Sequence, residues 1–166
     1  MKVKEVMTAG TIKSCNSETK LANAAKMMKD DNLGALPVVD KEKKVVGIIT
    51  DRDICLSLAS KNGKTSEEIT VKEILSKGKI HTINAEDELE DVLREMRMSR
   101  IGRLPVTDKD GRLKGMISVN NLLSRAITKN EAIGELNAKD ENLAKTIKAL
   151  FDRNNTKAKT GVSATA

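Results

Sequence analysis

Residues 3–54 of this chain align without a gap onto residues 71–122 at a constant offset of 68 positions, so the sequence is written twice. About a third of the paired positions are identical and many others are conservative, as in Val-Lys-Glu-Val-Met at 3–7 against Val-Lys-Glu-Ile-Leu at 71–75. The period exceeds the roughly 20–50 residues of common solenoid repeats, and a unit of this size is marginal as an independent domain. The duplication therefore predicts one pseudo-two-fold domain, with function to be sought where the copies meet.

Each copy predicts the same order of elements. A short helical lead-in (Val3–Met7, Val71–Leu75) precedes a strand near Thr11–Cys15 and Lys79–Ile83. Leu21, Ala24, Ala25 and Met28 match Leu89, Val92, Leu93 and Met96 at the i, i+3, i+4, i+7 spacing of an amphipathic helix with one buried stripe. That helix is expected to end near Asn32-Leu33-Gly34 and Arg100-Ile101-Gly102, where glycine permits a left-handed exit. Two strands follow, Leu36–Asp40 with Val45–Thr50 and Leu104–Asp108 with Arg112–Ser118, the latter pair joined by the hairpin signal Asp108-Lys109-Asp110-Gly111. Pro37 and Pro105 suit strand starts, because proline cannot donate to a ladder. A second helix is expected from about Asp51 to Ala59 and from about Val119 to Ile127. The polar connector Ser60–Glu68 separates the copies, giving units at 1–62 and 63–128. In the tail, 129–166, the spacing of Ile133, Leu136, Leu143, Ile147, Leu150 and Phe151 suggests amphipathic helix, and residues 154–166 read as disordered.

Composition narrows the classes of function. With no Trp, no Tyr and Phe151 as the sole Phe, the core must come from Val, Ile, Leu, Met and Ala, and stacking platforms for single-stranded nucleic acid are missing. The excess of 30 Lys and Arg over 24 Asp and Glu gives +6, but it is dispersed, and Lys41–Lys44, interrupted by Glu42, reads as a hairpin turn. A solvated basic surface explains that charge better than a nucleic-acid partner. Cys15 and Cys55 lack neighbours at metal-binding spacing, and Cys15 pairs with Ile83 in the repeat as a small buried hydrophobe. Met28 and Met96 sit at core spacing rather than in a metal motif. Neither a signal peptide nor a long apolar run is visible, which suggests a reduced, cytoplasmic protein without membrane contact. No nucleophile motif, His-Glu metal signature or Gly-rich phosphate loop is present, so no enzymatic activity is expected.

The sharpest signal closes each hairpin: Gly47-Ile48-Ile49-Thr50-Asp51-Arg52-Asp53 in copy 1 and Gly115-Met116-Ile117-Ser118-Val119-Asn120-Asn121 in copy 2. A hydroxyl residue ends a strand, and a carboxylate or amide follows three positions later on the first helical turn. Alone, Thr50 to Asp53 is also a capping box. The whole series of strand, helix, Leu-Pro-Val, hairpin and Gly-x-Ile-[Thr/Ser]-x-x-[Asp/Asn] occurs twice in one order, and on these residues the chain resembles a tandem pair of CBS domains, the module named after cystathionine β-synthase. The likeness runs from Met1 to about Thr128, and Ile-Thr-Asp-Arg-Asp-Ile at 49–54 looks like bacterial stand-alone members.

The resemblance implies an α+β fold: two pseudosymmetric β-α-β-β-α motifs packed through their sheets, with two clefts, followed by the helical and then disordered tail. It implies a non-enzymatic sensor that binds AMP, ADP, ATP or S-adenosylmethionine as ligand, with no catalytic cofactor, forms an antiparallel disc-like homodimer and signals to an effector protein. In relatives the acidic residue at the Asp53 position grips the ribose hydroxyls, and the Thr50 position lines the pocket. A carboxylate suits that task because it accepts from both hydroxyls of a diol, each charged hydrogen bond contributing about 1.5–3 kcal/mol against about 0.5–1.5 for a neutral one. One cleft would combine the acidic motif of one copy with the first strand and pre-proline segment of the other, gathering Ile48, Thr50, Asp53, His81, Gly102, Arg103 and Asn120. Its counterpart would hold Lys13, Arg52, Met116, Ser118 and Asn121, and would bind more weakly because Asn121 has one acceptor oxygen and a donating amide. Arg103 suits bidentate phosphate contact but also reads as a solvated arginine, and His81, the only histidine, also reads as structural. Two other readings compete: a ligand-free dimerisation module whose helix near 143–151 docks a partner or packs back on the pair, and a nucleic-acid binder.

Overall fold

The computed structural model describes residues 1–60, 63–75, 78–129 and 138–151. Helix α1 (Leu21–Asp30) leads into the hairpin β1 (Ala35–Val39) and β2 (Val45–Thr50), and then α2 (Asp51–Ser60). After the short α3 (Val71–Ile74) the order repeats: β3 (Ile83–Asn84), α4 (Leu89–Ser99), β4 (Arg103–Thr107), β5 (Leu113–Ser118) and α5 (Val119–Lys129). A last helix, α6 (Ala138–Phe151), lies against α4 and α5. This is the mixed α+β architecture that the resemblance implies. Ile133, Leu136 and residues 154–166 of the tail fall outside the described residues.

The hairpins repeat down to their irregularities. Ala35 opposes Thr50 and Pro37 opposes Ile48, just as Arg103 opposes Ser118 and Pro105 opposes Met116. The register slips at Val38/Val39 and again at the equivalent Val106/Thr107. The two sheets approach along β2 and β4, and their turns pair with each other: Val45 N–H donates to Gly111 O and Leu113 N–H to Lys43 O, both at 3.0 Å.

The first strand of each copy is shorter than the sequence suggests. In place of Thr11–Cys15 there is a single parallel bridge from Cys15 to Val38, and in place of Lys79–Ile83 there is the two-residue β3 beside β4. Proline explains both. Cys15 N–H donates to Pro37 O and Val39 N–H to Cys15 O, so the next rung would need an N–H from Pro37, which has none. Pro105 truncates β3 in the same way. Both prolines occupy the third strand position rather than the first. The helix exits also differ: the left-handed residues are Asn32 (φ 52°) and Arg100 (φ 54°), not the glycines two positions on. Asparagine tolerates that region, and Arg100 holds it while its N–H donates to Met96 O at the end of α4.

The lead-ins are exchanged between copies. Val3 and Val6 are buried with Ile83, Val92, Met96, Leu104 and Ile117 of copy 2, whereas Ile69 and Val71 are buried with Cys15, Leu21, Leu36 and Ile49 of copy 1. Backbone bonds fix the exchange: Val3 N–H to Asp87 O and Lys4 N–H to Ala85 O on one side, Leu21 N–H to Ile69 O and Val71 N–H to Thr19 O on the other. Fully burying each such valine contributes about 1.5–3 kcal/mol. Cys15 is buried as expected, and burial pushes its thiol up to about 11.

At the edge of this docking, Glu88 accepts from the Met1 amine at 2.7 Å and pairs with Lys2 at 2.8 Å. The Lys2 hydrogen bond first, and that of the amine second, lower the Glu88 carboxyl from an ordinary 4.5 to about 2. A depressed carboxylate adds stability above its unfolded value and loses it as pH falls through the folded one. Between pH 4.5 and 2 the thermal midpoint of the wild type should therefore fall more steeply than that of Glu88→Gln, whose profile lacks this group.

Candidate functional site

Of the residues expected to hold a ligand, Thr50 and Asp53 in copy 1 and Ser118 and Asn121 in copy 2 stand where the last strand of each hairpin turns into a helix. Thr50 ends β2 and Asp53 stands on the first turn of α2, so hydroxyl and carboxylate meet across the strand-to-helix corner. Thr50 N–H and Oγ1–H both donate to Asp53 Oδ2, at 2.9 and 2.6 Å, and Asp53 N–H donates back to Thr50 Oγ1 at 3.2 Å. This is a complete capping box, and it uses one carboxylate oxygen. Among the described residues no hydrogen bond or ion pair engages Asp53 Oδ1, and the side chain is exposed. A capped but half-uncommitted carboxylate is held in orientation without being consumed.

Arg103 reaches this corner from the other copy. It opens β4 opposite Ser118, yet its guanidinium lies over Gly34 at the start of copy 1's hairpin. A Cβ on Gly34 would stand 3.0 Å from Arg103 Nη2 and 3.7 Å from Asp51 Oδ2, so glycine makes room where the arginine and the first acid of α2 converge. Asp51 N–H donates to Gly34 O at 3.4 Å, tying helix start to hairpin start. No hydrogen bond or ion pair among the described residues engages the Arg103 guanidinium. Asp51 and Asp53 both favour the positive N-terminal end of α2, but together they oppose an anion there, so a phosphate near this corner needs Arg103.

The remaining expected residues are distributed differently. Ile48 sits half-buried in β2 opposite Pro37. Gly102 belongs to its own copy, where its O accepts from Val119 N–H at 3.0 Å, and Asn120 is exposed on the first turn of α5. His81 is committed elsewhere: its Nδ1 lies 2.5 Å from Glu95 Oε1 and 3.2 Å from Ser99 Oγ, both on α4. That contact, with the Ser99 hydroxyl second, lowers the Glu95 carboxyl. Lys13, the repeat equivalent of His81, pairs with Asp31 at 3.4 Å, and Asp31 is the repeat equivalent of Ser99. The same two positions thus tie the pre-strand segment to a helix end in both copies, by different chemistry.

The counterpart corner is more fully occupied. Ser118 N–H and Oγ–H donate to Asn121 Oδ1 at 2.9 and 2.6 Å, and Asn121 Nδ2 donates to Thr8 Oγ1 at 3.1 Å. Thr8 also exchanges backbone bonds with Met116, 2.8 Å in one direction and 3.0 Å in the other. Asn121 therefore joins helix cap to exchanged lead-in. Arg52, exposed on α2, has no ion pair among the described residues. The sequence reading missed Thr8, Gly34, Asp51, Glu95 and Ser99; the hydroxyl at Thr8 and its repeat mate Ser76, and the glycine at 34 and 102, were the available signals. Removing the cap and the cross-copy bond together should make Asn121→Ala less stable by about 1–2 kcal/mol in urea denaturation.

Comparison with known proteins gives a consistent picture. The CBS domain family model matches residues 3–60 and 71–127. A CBS domain-containing protein of Dictyostelium discoideum is 33% identical over 132 residues, covering 75% of this chain and 90% of that protein. Homoserine O-acetyltransferase of Methanococcus vannielii is 34% identical over 120 residues, 72% of this chain but only 24% of the enzyme. The CBS domain pair of protein MJ0100, solved with 5′-methylthioadenosine and S-adenosyl-L-methionine, superposes with a TM-score of 0.68 at 28% identity, covering 78% of this chain and 98% of that one.

Proposed function

Because the chain belongs to the CBS domain family and carries the domain twice, we propose that it is a regulatory module that binds an adenosine-containing ligand at the corner formed by Thr50, Asp53 and Arg103. The observation that carries this reading is the Asp53 carboxylate, with Oδ2 fixed by its capping box and Oδ1 left for a ribose hydroxyl. The MJ0100 pair, bound to two adenosyl compounds, supports the ligand class. Arg103, arriving from the opposite copy, supplies the cation for a phosphate, so a ligand bridging Asp53 and Arg103 would clamp the two copies together. Signalling would follow if the ligand prefers one relative setting of the copies, since equal affinity for two states shifts neither. The Asn121 corner is the weaker site, its amide and oxygen both engaged by the chain itself.

Mass spectrometry of small molecules released from freshly purified, denatured protein, followed by calorimetry with AMP, ATP, S-adenosylmethionine and 5′-methylthioadenosine, tests the proposal. Saturable binding at one site is expected, and no heat with any of the four overturns it. Arg103→Ala should weaken AMP or ATP by roughly tenfold or more, the worth of one charge-assisted contact, while leaving 5′-methylthioadenosine nearly unchanged.

A further inference from the structure

The two corners differ as a set, and the difference centres on a glycine. A glycine is favoured where the backbone needs a left-handed φ or where another group comes too close for a side chain. Gly34 is not one of the left-handed glycines, which among the described residues are Gly10, Gly63 and Gly111. What comes close is the guanidinium from the opposite copy: an added Cβ would stand 3.0 Å from Arg103 Nη2 and 3.4 Å from Arg103 Cζ. Both distances fall inside the roughly 3.5–4.0 Å at which such atoms pack. At the counterpart corner the repeat mates of Gly34, Asp51 and Arg103 are Gly102, Val119 and Ala35, which carry no charge. There an added Cβ would meet nothing closer than Val119 Cγ2 at 3.9 Å, an ordinary contact. We propose, building on the adenosyl-ligand reading of this corner, that Gly34 is a positioning residue for Arg103: its bare Cα forms the seat that aims the guanidinium at the phosphate of a bound nucleotide.

The seat works by shape. The guanidinium enters no hydrogen bond or ion pair among the described residues, so its donors stay available while the Gly34 backbone lies against it. Gly34 is itself tied to the helix start, its O accepting from Asp51 N–H at 3.4 Å. Asp51 Oδ2 stands 3.7 Å from the same added Cβ, a negative charge that favours the guanidinium in this place. A phosphate ligand gains from that order. The planar fork of an arginine meets a phosphate in two parallel bonds only when it is correctly turned, and a long side chain without a seat must give up its rotamer freedom as the ligand binds. Because Arg103 is exposed, a methyl group on Gly34 would push the arginine aside rather than strain the fold.

Calorimetry on the full chain with AMP and with 5′-methylthioadenosine, which lacks the phosphate, tests the assignment in a double-mutant cycle of Gly34→Ala and Arg103→Ala. Gly34→Ala should weaken AMP by roughly five- to tenfold, most of the worth of one charge-assisted contact, and leave 5′-methylthioadenosine within about twofold. Retained binding of the second compound shows that the corner is intact. In the Arg103→Ala background the same glycine change should move AMP by less than about twofold, because the group it unseats is gone. An equal loss for both ligands, or a loss of AMP that persists without Arg103, overturns the inference, since Gly34 would then serve the backbone or the wall of the site. AMP binding that Gly34→Ala leaves unchanged overturns it alone and leaves the adenosyl reading standing. A wild type that binds neither compound sinks both.

Discussion

Replacing the buried Gly115 with alanine should destabilise the protein by about 2–4 kcal/mol, the largest effect expected among the three glycines compared below. A Cβ at this position would lie 2.6 Å from the backbone oxygen of Thr8 and 2.7 Å from Met7 Sδ. The sulfur can move, but the carbonyl cannot without breaking the paired Thr8–Met116 bonds that hold the lead-in to β5. Two other glycines calibrate the result. At Gly47 the three atoms nearest the added carbon all belong to the Leu75 side chain, the closest being Cδ1 at 2.7 Å, and a leucine can change rotamer, so about 1 kcal/mol is expected. At Gly102 the nearest atom is Val119 Cγ2 at 3.9 Å, an ordinary contact, so the change should be within about 0.5 kcal/mol. Urea titrations at unchanged m-value would rank the three. Equal losses at 115 and 102 would mean that the exchanged lead-in contributes little.

Asp53→Ala should weaken the adenosyl ligand by roughly ten- to a hundredfold, since the hydrogen bond that Oδ1 would accept from a ribose hydroxyl goes to a charged group and is worth about 1.5–3 kcal/mol. The same change removes a helix cap, at a cost of about 1 kcal/mol to stability, so affinity must be compared at equal folded fraction. Asp53→Asn separates the two roles. An asparagine can keep the cap, as Asn121 does with Ser118, while offering the ribose a neutral group that donates as well as accepts. The expected outcome in calorimetry is near-native stability with most of the affinity lost. Native affinity in both variants would remove Asp53 from the site.

Much of the fold was legible because repetition reports on itself. Leu21 to Met28 and Leu89 to Met96 announce the same buried stripe, and each hairpin reproduces the other's register and its slip. What escaped the sequence was any feature decided by partners far along the chain. Val3 and Val6 read as amphipathic whichever core receives them, so the pattern could not say that they cross to copy 2. The shortened first strands follow from a proline on the neighbouring strand, not from the residues of the strand itself. At the candidate site, the Thr50–Asp53 corner is local and was visible. The approach of Arg103 to Gly34, and the engagement of His81 with Glu95 and Ser99 of α4, depend on how helix and sheet pack.

The crossed lead-ins make the two halves hostages of one another. Neither can be excised as a working unit: cut between them, and each fragment keeps a peptide that fits the other while baring the floor of its own interior. The two fragments made separately should instead find each other in solution and restore the native assembly. By the same token, Met7 and Thr8 stand against Gly115 and Leu75 stands against Gly47, so the hairpin of each half rests on a segment carried by the other.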